Sequence, residues 1–239
     1  MLYVIISDVH ANLEAVETCF REIDRIRPDR IICLGDLVDY CAQPNEVMDI
    51  IRARCDVIII GNHDEAQIYH SISDGFSDRA RISSIHTRSV LKEEHKEFIA
   101  TLQYTHSENS LLFVHGSPHK PAEYDYILDR YEAYINFRAF EEKICFIGHS
   151  HQPLVFKEGN LSSKIVIEKG VNDSGRYIIN VGSVGQPRDG DPRLSFGVFD
   201  TEKFQYKSIR LSYDIKSAAQ KIINEGLPVR LAERLFEGL

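Results

Sequence analysis

Short apolar runs alternate with amphipathic stretches through the first half of the chain. Leu2–Ile6 is apolar throughout and ends at Ser7-Asp8. Between Asn12 and Arg27 the residues Leu13, Val16, Phe20, Ile23 and Ile26 recur at three- and four-residue spacing, which predicts an amphipathic helix, and Pro28 stands just beyond as a stop signal. Arg30–Leu34 predicts a second strand, Asn45–Ala53 a helix and Val57–Ile60 a third strand. Strands that are continuously apolar belong to a sheet covered on both faces. Residues 65–108 break this rhythm. They are polar and contain no convincing strand, and they predict an inserted helical segment walling a cleft, with Leu91–Leu102 its clearest helix. Strand signals return at Leu111–Val114 and Ile144–Ile147, with a helix-like Arg130–Phe140 between them. After residue 150 come shorter runs at Leu154–Phe156, Ile165–Ile167, Tyr177–Val181, Leu194–Phe199 and Phe204–Ile209. A helical stretch over 213–238, broken at Gly226-Leu227-Pro228, ends the chain. The late β-rich region predicts a second sheet packed on the first. With no repeat, linker or low-complexity segment, the expectation is one domain over 1–239 of α/β class.

Composition narrows the function classes. An apolar fraction of 43% and a charged fraction of 27% are those of a soluble globular protein. No apolar run approaches the roughly 20 residues needed to span a bilayer. The N-terminal residues lack the basic region of a signal peptide. Cys19, Cys33, Cys41, Cys55 and Cys145 are scattered and show no C-x-x-C spacing. Neither a disulfide framework nor a thiolate zinc site is expected, and a reducing cytoplasm fits best. The formal net charge of −8 disfavours binding to nucleic acid backbones. A small anionic substrate remains compatible, provided metal ions or a local basic cluster reverse the sign inside a cleft.

Each strand of the first set runs into residues that bind hard or borderline metals. They are Asp8-Val9-His10, Gly35-Asp36-Leu37-Val38-Asp39, Gly61-Asn62-His63-Asp64, His115-Gly116-Ser117 and Gly148-His149-Ser150-His151. Singly these are weak signals, since Asn, Asp and Gly form turns, and Asp36 or Asp39 could cap a helix. Five in succession are not, because loops at the carboxyl ends of sheet strands gather at one edge. Five of the ten histidines lie in these clusters, while His70, His86, His95, His106 and His119 lack such company and read as surface residues. Carboxylates and neutral imidazoles without cysteine suit Mn, Fe, Zn, Co or Ni. They suit two ions better than one, because one Asp can bridge two cations about 3.5–4 Å apart.

The ordered set Asp-x-His, Gly-Asp-x-x-Asp, Gly-Asn-His-Asp, His-Gly and Gly-His-x-His over residues 8–151 resembles the calcineurin-like metallophosphoesterase superfamily. Ser7–Ala15 and the late Asn180–Arg188 look like its small prokaryotic branch of predicted phosphodiesterases. The resemblance implies a two-sheet β-sandwich flanked by helices and a dinuclear centre that activates water against phosphodiesters or phosphomonoesters of small molecules, with nucleotides among the candidates. Asp8, His10 and His151 would hold one metal, Asn62, His115 and His149 the other, and Asp36 would bridge them. His63 would face the substrate and protonate the leaving oxygen or stabilise its charge, with Asp64 orienting it.

Two positions depart from the protein phosphatase and dinucleoside tetraphosphatase branches. Those carry Arg-Gly after the second Asp of the Gly-Asp motif, where this chain has Tyr40-Cys41. They also favour Glu at the position of Asp64. Arg188, in the loop Gly182–Arg193, is the candidate to grip phosphate in place of the missing arginine. Asn12 is expected to cap a helix and secondarily to line the site. A nuclease would require a basic groove, which the net charge opposes. A scaffold that had lost catalysis would have lost ligands, yet all seven ligand positions are present.

Overall fold

The computed structural model describes residues 1–159 and 171–239. β1 (Leu2–Ile6), β2 (Arg30–Cys33) and β3 (Val57–Ile58) lie side by side and parallel, joined by α1 (Leu13–Ile26) and α2 (Pro44–Arg54). α1 starts where the Asn12 side chain accepts from Ala15 N–H and ends with Arg27 in the left-handed region, ahead of Pro28. Its buried stripe of Ala15, Val16, Cys19, Phe20 and Ile23 is the face that the spacing predicts. The short α3 (Asn62–Glu65), α4 (Asp78–Val90) and α5 (Glu93–Ile99) follow, then β4 (Thr105–Glu108) and β5 (Leu111–Val114). α6 (Arg130–Asn136), β6 (Ile144–Ile147), β7 (Leu154–Lys157) and β8 (Tyr177–Asn180) come next. The chain closes with β9 (Leu194–Asp200), β10 (Gln205–Leu211), α7 (Ile215–Asn224) and α8 (Val229–Glu237).

Two five-stranded mixed sheets result, in the orders β10-β9-β1-β2-β3 and β4-β5-β6-β8-β7. Between them lies an apolar layer in which Tyr3, Ile5, Ile32 and Leu34 of the first sheet meet Phe113, Ile144, Phe146 and Ile179 of the second. Phe146 is its centre, stacked on Phe113 (5.6 Å, 12°) and edge-on to Phe199 (5.8 Å). The outer face of the first sheet packs on α1 and α2 through Val4, Ile6, Val16, Phe20, Val47 and Ile51. The outer face of the second is covered by Ala133, Phe137 and Phe140. The expected sandwich flanked by helices is therefore the observed fold.

Its strands are apportioned differently from their order in the chain. β5 and β6 belong to the second sheet, although their sequence looks like that of β1–β3, and β9 and β10 return to the first, where β9 runs antiparallel to β1. Continuous apolar strands fill the middle of either sheet equally well, so hydropathy alone does not assign them. The expectation that residues 65–108 hold no strand fails at β4. This strand, Thr-His-Ser-Glu, is a sheet edge paired only with β5, and edge strands carry polar residues on both faces. No apolar periodicity marks α4, because it buries Ala80, Ser83, Ser84 and Thr87 rather than an apolar stripe. The expected helix over Leu91–Leu102 is shorter, as is that over Arg130–Phe140. The expected strand Ile165–Ile167 lies outside the described residues. His95 is fully buried rather than superficial, held between Arg52 Nη1 (3.0 Å) and Asp49 (3.3 Å). Among the described residues, no helix is long and apolar enough to cross a membrane.

Phe146→Ala would remove the ring shared by both sheets and leave a cavity lined by Phe113, Phe199 and Tyr206. Stability should fall by about 3–5 kcal/mol, read as a lower denaturant midpoint; a loss under about 1 kcal/mol would show that the layer is not close-packed there.

Candidate metal centre

The centre is built where strands stop. β1 runs into Asp8 and His10, β2 into Asp36 and Asp39, β5 into His115 and β6 into His149 and His151, all at the carboxyl edge of the two sheets. The backbone is bent sharply there. Of fourteen non-glycine residues with positive φ among those described, Asp8, His10, Ala11, Asp36, Asp39, Tyr40, His149 and His151 are eight. L-residues rarely adopt this conformation, and it persists only where surrounding contacts enforce it. Those contacts are backbone hydrogen bonds between loops: Asp8 N–H to Gly35 carbonyl (3.0 Å), His10 N–H to Asp36 carbonyl (3.0 Å) and Gly148 N–H to His115 carbonyl (2.8 Å). Close approach also demands glycine. A methyl at Gly61 would strike the Asp36 carboxylate, and one at Gly148 would stand 2.6 Å from Asp8 Oδ2.

Two groups of ligand atoms form around Asp36. Asp8, His10, Asp36 and His151 make one, and Asp36, His115 and His149 the other, each with its atoms within 4.8 Å of one another. Asp36 Oδ2 lies 3.2 Å from His115 Nε2 and 3.6 Å from His10 Nε2; Asp8 Oδ1 lies 3.2 Å from His151 Nε2. Backbone carbonyls orient three of the imidazoles from behind. His10 Nδ1 meets Val38 O (2.8 Å), His115 Nδ1 meets Leu34 O (2.7 Å) and His151 Nδ1 meets Gln186 O (2.5 Å). Each Nδ1–H donates to its carbonyl, so each Nε2 faces the cluster. Burial holds His10 and His151 well below the usual imidazole range and takes His149 down to about 3, so these rings are neutral, the form that binds metal. Burial acts on His115 in the same sense but is outweighed by the Asp36 carboxylate, which lifts it to about 9.

The donors fit divalent ions. Asp36 Oδ2, Asn62 Oδ1 and His115 Nε2 are buried with no hydrogen-bond partner. Buried polar atoms are normally satisfied, so a bare oxygen on the one carboxylate common to both ligand groups is where a cation would fit. The set of carboxylate, amide and imidazole suits Mn, Fe, Zn, Co or Ni. Cys41 adds nothing to it, since burial pushes its thiol well above the ordinary range.

The structure brings His63 to the same volume, its ring edge-on to His10 at 5.1 Å and against Phe76 at 4.5 Å. Its Nδ1 lies 2.8 Å from Asp39 Oδ2. Burial would lower His63, but Tyr40, Asp36 and Asp39 together raise it to about 10, which leaves it protonated. The carboxylate behind this ring is therefore Asp39, not Asp64. Asp64 instead accepts backbone N–H groups from Gly61 (3.0 Å), Asp36 (2.8 Å) and Leu37 (2.7 Å), tying the loop after β3 to the loop after β2. Asn12 does not line the site. Its oxygen caps α1, and its nitrogen donates to Gly185 carbonyl (2.8 Å) and Tyr213 hydroxyl (3.2 Å). Arg188 lies near the site's mouth, its guanidinium 5.4 Å above the Tyr40 ring.

A family model described as the calcineurin-like phosphoesterase superfamily domain matches residues 1–203. The chain belongs to the calcineurin-like phosphoesterase superfamily. Membership implies phosphoester hydrolysis. An uncharacterised protein of Methanocaldococcus jannaschii is 36% identical over 99% of this chain and 98% of its own length. A metallophosphoesterase from Sphaerobacter thermophilus is 38% identical and superposes with a TM-score of 0.89, over 100% of this chain and 99% of that one. A hypothetical protein of Pyrococcus horikoshii shares the fold, with a TM-score of 0.83 at 19% identity over 100% of this chain and 98% of that one.

Two contributors to this phosphoesterase centre went unassigned in the sequence. Asp39 closes the Gly-Asp-x-x-Asp motif, a position whose spacing suits a helix cap equally well. Tyr126, which stacks on His149 at 4.1 Å and 12°, sits in a loop with no motif around it. If Asp64 acts as the clamp between two loops, Asp64→Ala leaves three buried N–H groups unpaired, at about 1–3 kcal/mol each. A drop of several degrees in Tm at neutral pH is expected, and an unchanged Tm would refute the clamp.

Proposed function

We propose that this phosphoesterase uses two divalent ions, bridged by Asp36, to hydrolyse small phosphorylated molecules, diesters or monoesters, nucleotides among them. The observation that carries this reading is the buried Asp36 Oδ2, unpartnered and common to both ligand groups. Asp8, His10 and His151 hold one ion; Asn62, His115 and His149 hold the other. When bound, such a pair lowers the pKa of water towards neutrality and offsets charge on the phosphoryl oxygens. The protein's own groups do the rest. The protonated His63 presents Nε2 towards the leaving oxygen, while Asp39 fixes the ring through Nδ1 and stabilises its positive charge. Arg188 supplies the cation that the absent arginine at position 40 would give.

The inserted segment supports a role in substrate choice. Ser83 Oγ of α4 accepts from Tyr40 N–H (2.5 Å), Ser84 Oγ accepts from Gln67, and Phe76 packs on the His63 ring. Residues 65–108 thus reach the site at several points of a single domain. Five free cysteines, four of them buried, suit a reducing cytoplasm.

Metal-stripped protein should turn over bis-p-nitrophenyl phosphate, p-nitrophenyl phosphate or nucleotides only after Mn, Ni, Co, Zn or Mg is added, and Asp36→Ala should abolish that turnover; full activity in the variant sinks the two-ion reading. His63 acts as an acid below about pH 10 and loses its proton as pH rises through that value. Asp39→Asn lowers this pKa, so kcat should drop about 10²-fold and its alkaline limb should move to lower pH. An unmoved limb would mean that Asp39 does not govern His63.

A further inference from the structure

Backbone carbonyls orient the imidazoles of His10, His115 and His151, and His149 is the exception. Its backbone N–H is fixed by the Asp8 carboxylate (3.2 and 3.1 Å), but neither ring nitrogen has a hydrogen-bond partner among the described residues. An imidazole that binds a metal normally donates its second nitrogen to a fixed acceptor, which sets the plane of the ring. Another ring sets the plane of His149 instead. Tyr126 lies parallel to it at 4.1 Å and 12°, while the rings of His115 (5.0 Å, 59°) and Tyr124 (6.3 Å, 48°) meet it at an angle.

The loop between β5 and α6 is built to bring Tyr126 there. It leaves His115 through Gly116, where a methyl would stand 2.9 Å from the Tyr124 Cα, so the returning chain packs directly on the strand end. Tyr124 turns with a left-handed backbone (φ 54°). Its hydroxyl donates to Glu65 Oε2 (2.6 Å), and the Tyr104 hydroxyl donates to the other oxygen of the same buried carboxylate (2.5 Å). Glu65 closes the short helix α3 that opens with Asn62. One loop therefore reaches all three residues assigned to one ion. It meets Asn62 by way of α3 and Glu65, His115 at the edge of Tyr124 (5.9 Å, 74°) and His149 under Tyr126. The imidazoles assigned to the other ion, His10 and His151, are set by the carbonyls of Val38 and Gln186, outside this loop.

We propose that Tyr126 is the positioning residue for His149, so that the Tyr124–Tyr126 loop sets the affinity of the ion held by Asn62, His115 and His149 separately from that of the ion held by Asp8, His10 and His151. This deepens, and rests on, the two-ion reading of the centre. Face-to-face contact suits the task. An imidazole that shares a lone pair with a cation is electron-poor, and the phenol face above it is electron-rich. Tyr126 is 46% exposed and its hydroxyl has no hydrogen-bond partner among the described residues, so the ring alone makes the contact and its removal costs little core packing.

Titration of the metal-stripped protein with Mn(II), the free ion being counted by electron paramagnetic resonance, tests this role. Wild type should take up two ions per chain. Tyr126→Ala should weaken one of them by about 10- to 100-fold and leave the other unchanged. Tyr126→Phe, which keeps the ring, should match wild type, and so should Tyr131→Ala at an exposed ring of α6. Unchanged affinities in Tyr126→Ala would overturn the positioning role while the two-ion reading stands. Equal weakening of both ions, the mark of general damage to the fold, would do the same, as would a Tyr126→Phe protein that behaves like Tyr126→Ala. Uptake of fewer than two ions by wild type rejects the two-ion reading and the positioning role with it.

Discussion

The rest of the structure answers to one unfavourable juxtaposition: the Asp36 carboxylate, buried, facing the Nε2 atoms of His10 and His115 with one oxygen left bare. Burying an anion is costly unless something positive shares the volume. No local preference of the chain would generate this arrangement. It holds because the loops are bonded to one another by backbone groups and hang from strands in the middle of two close-packed sheets. The other oxygen of Asp36 accepts from His63 N–H (2.9 Å), so the same carboxylate also fixes where the third loop enters.

Much of this was legible in sequence for a physical reason. Strands that bury both faces are written mainly in apolar residues, and a metal-binding side chain within a few positions of such a run sits at the sheet's edge. β1, β2, β5 and β6 all obey this, and the ligand types Asp and His beyond their ends carry their own chemistry. α1 was legible from its spacing and its cap. The features that hid were those whose role is set by neighbours distant in sequence. β4 is a strand only because β5 lies beside it, and α4 has a buried face of Ser, Thr and Ala that no periodicity marks. Which sheet owns β9 depends on a partner nearly two hundred residues earlier in the chain.

The roles of the two acids after His63 and before it illustrate the same limit. Adjacency in the motif suggested Asp64 as the companion of His63. A residue in the first turn of a helix, however, points its carboxylate back at N–H groups, and Asp64 does this for three of them. Asp39, twenty-four positions away, is brought to Nδ1 by its left-handed backbone (φ 69°). Tyr40 follows with the same handedness (φ 64°) and becomes the floor on which Arg188 lies.

The return of β9 to the side of β1 has a consequence for biosynthesis. His151 is oriented by the carbonyl of Gln186, and the sheet that carries Asp8 gains its antiparallel neighbour only at Leu194–Asp200. A chain emerging from the ribosome thus exposes Asp8, His10, Asp36 and Asn62 long before the partners that hold them arrive. Contacts this distant in sequence form late and slowly. Any ion that this centre holds would therefore be enclosed only after the residues around Gln186 and Leu194–Asp200 have joined the fold.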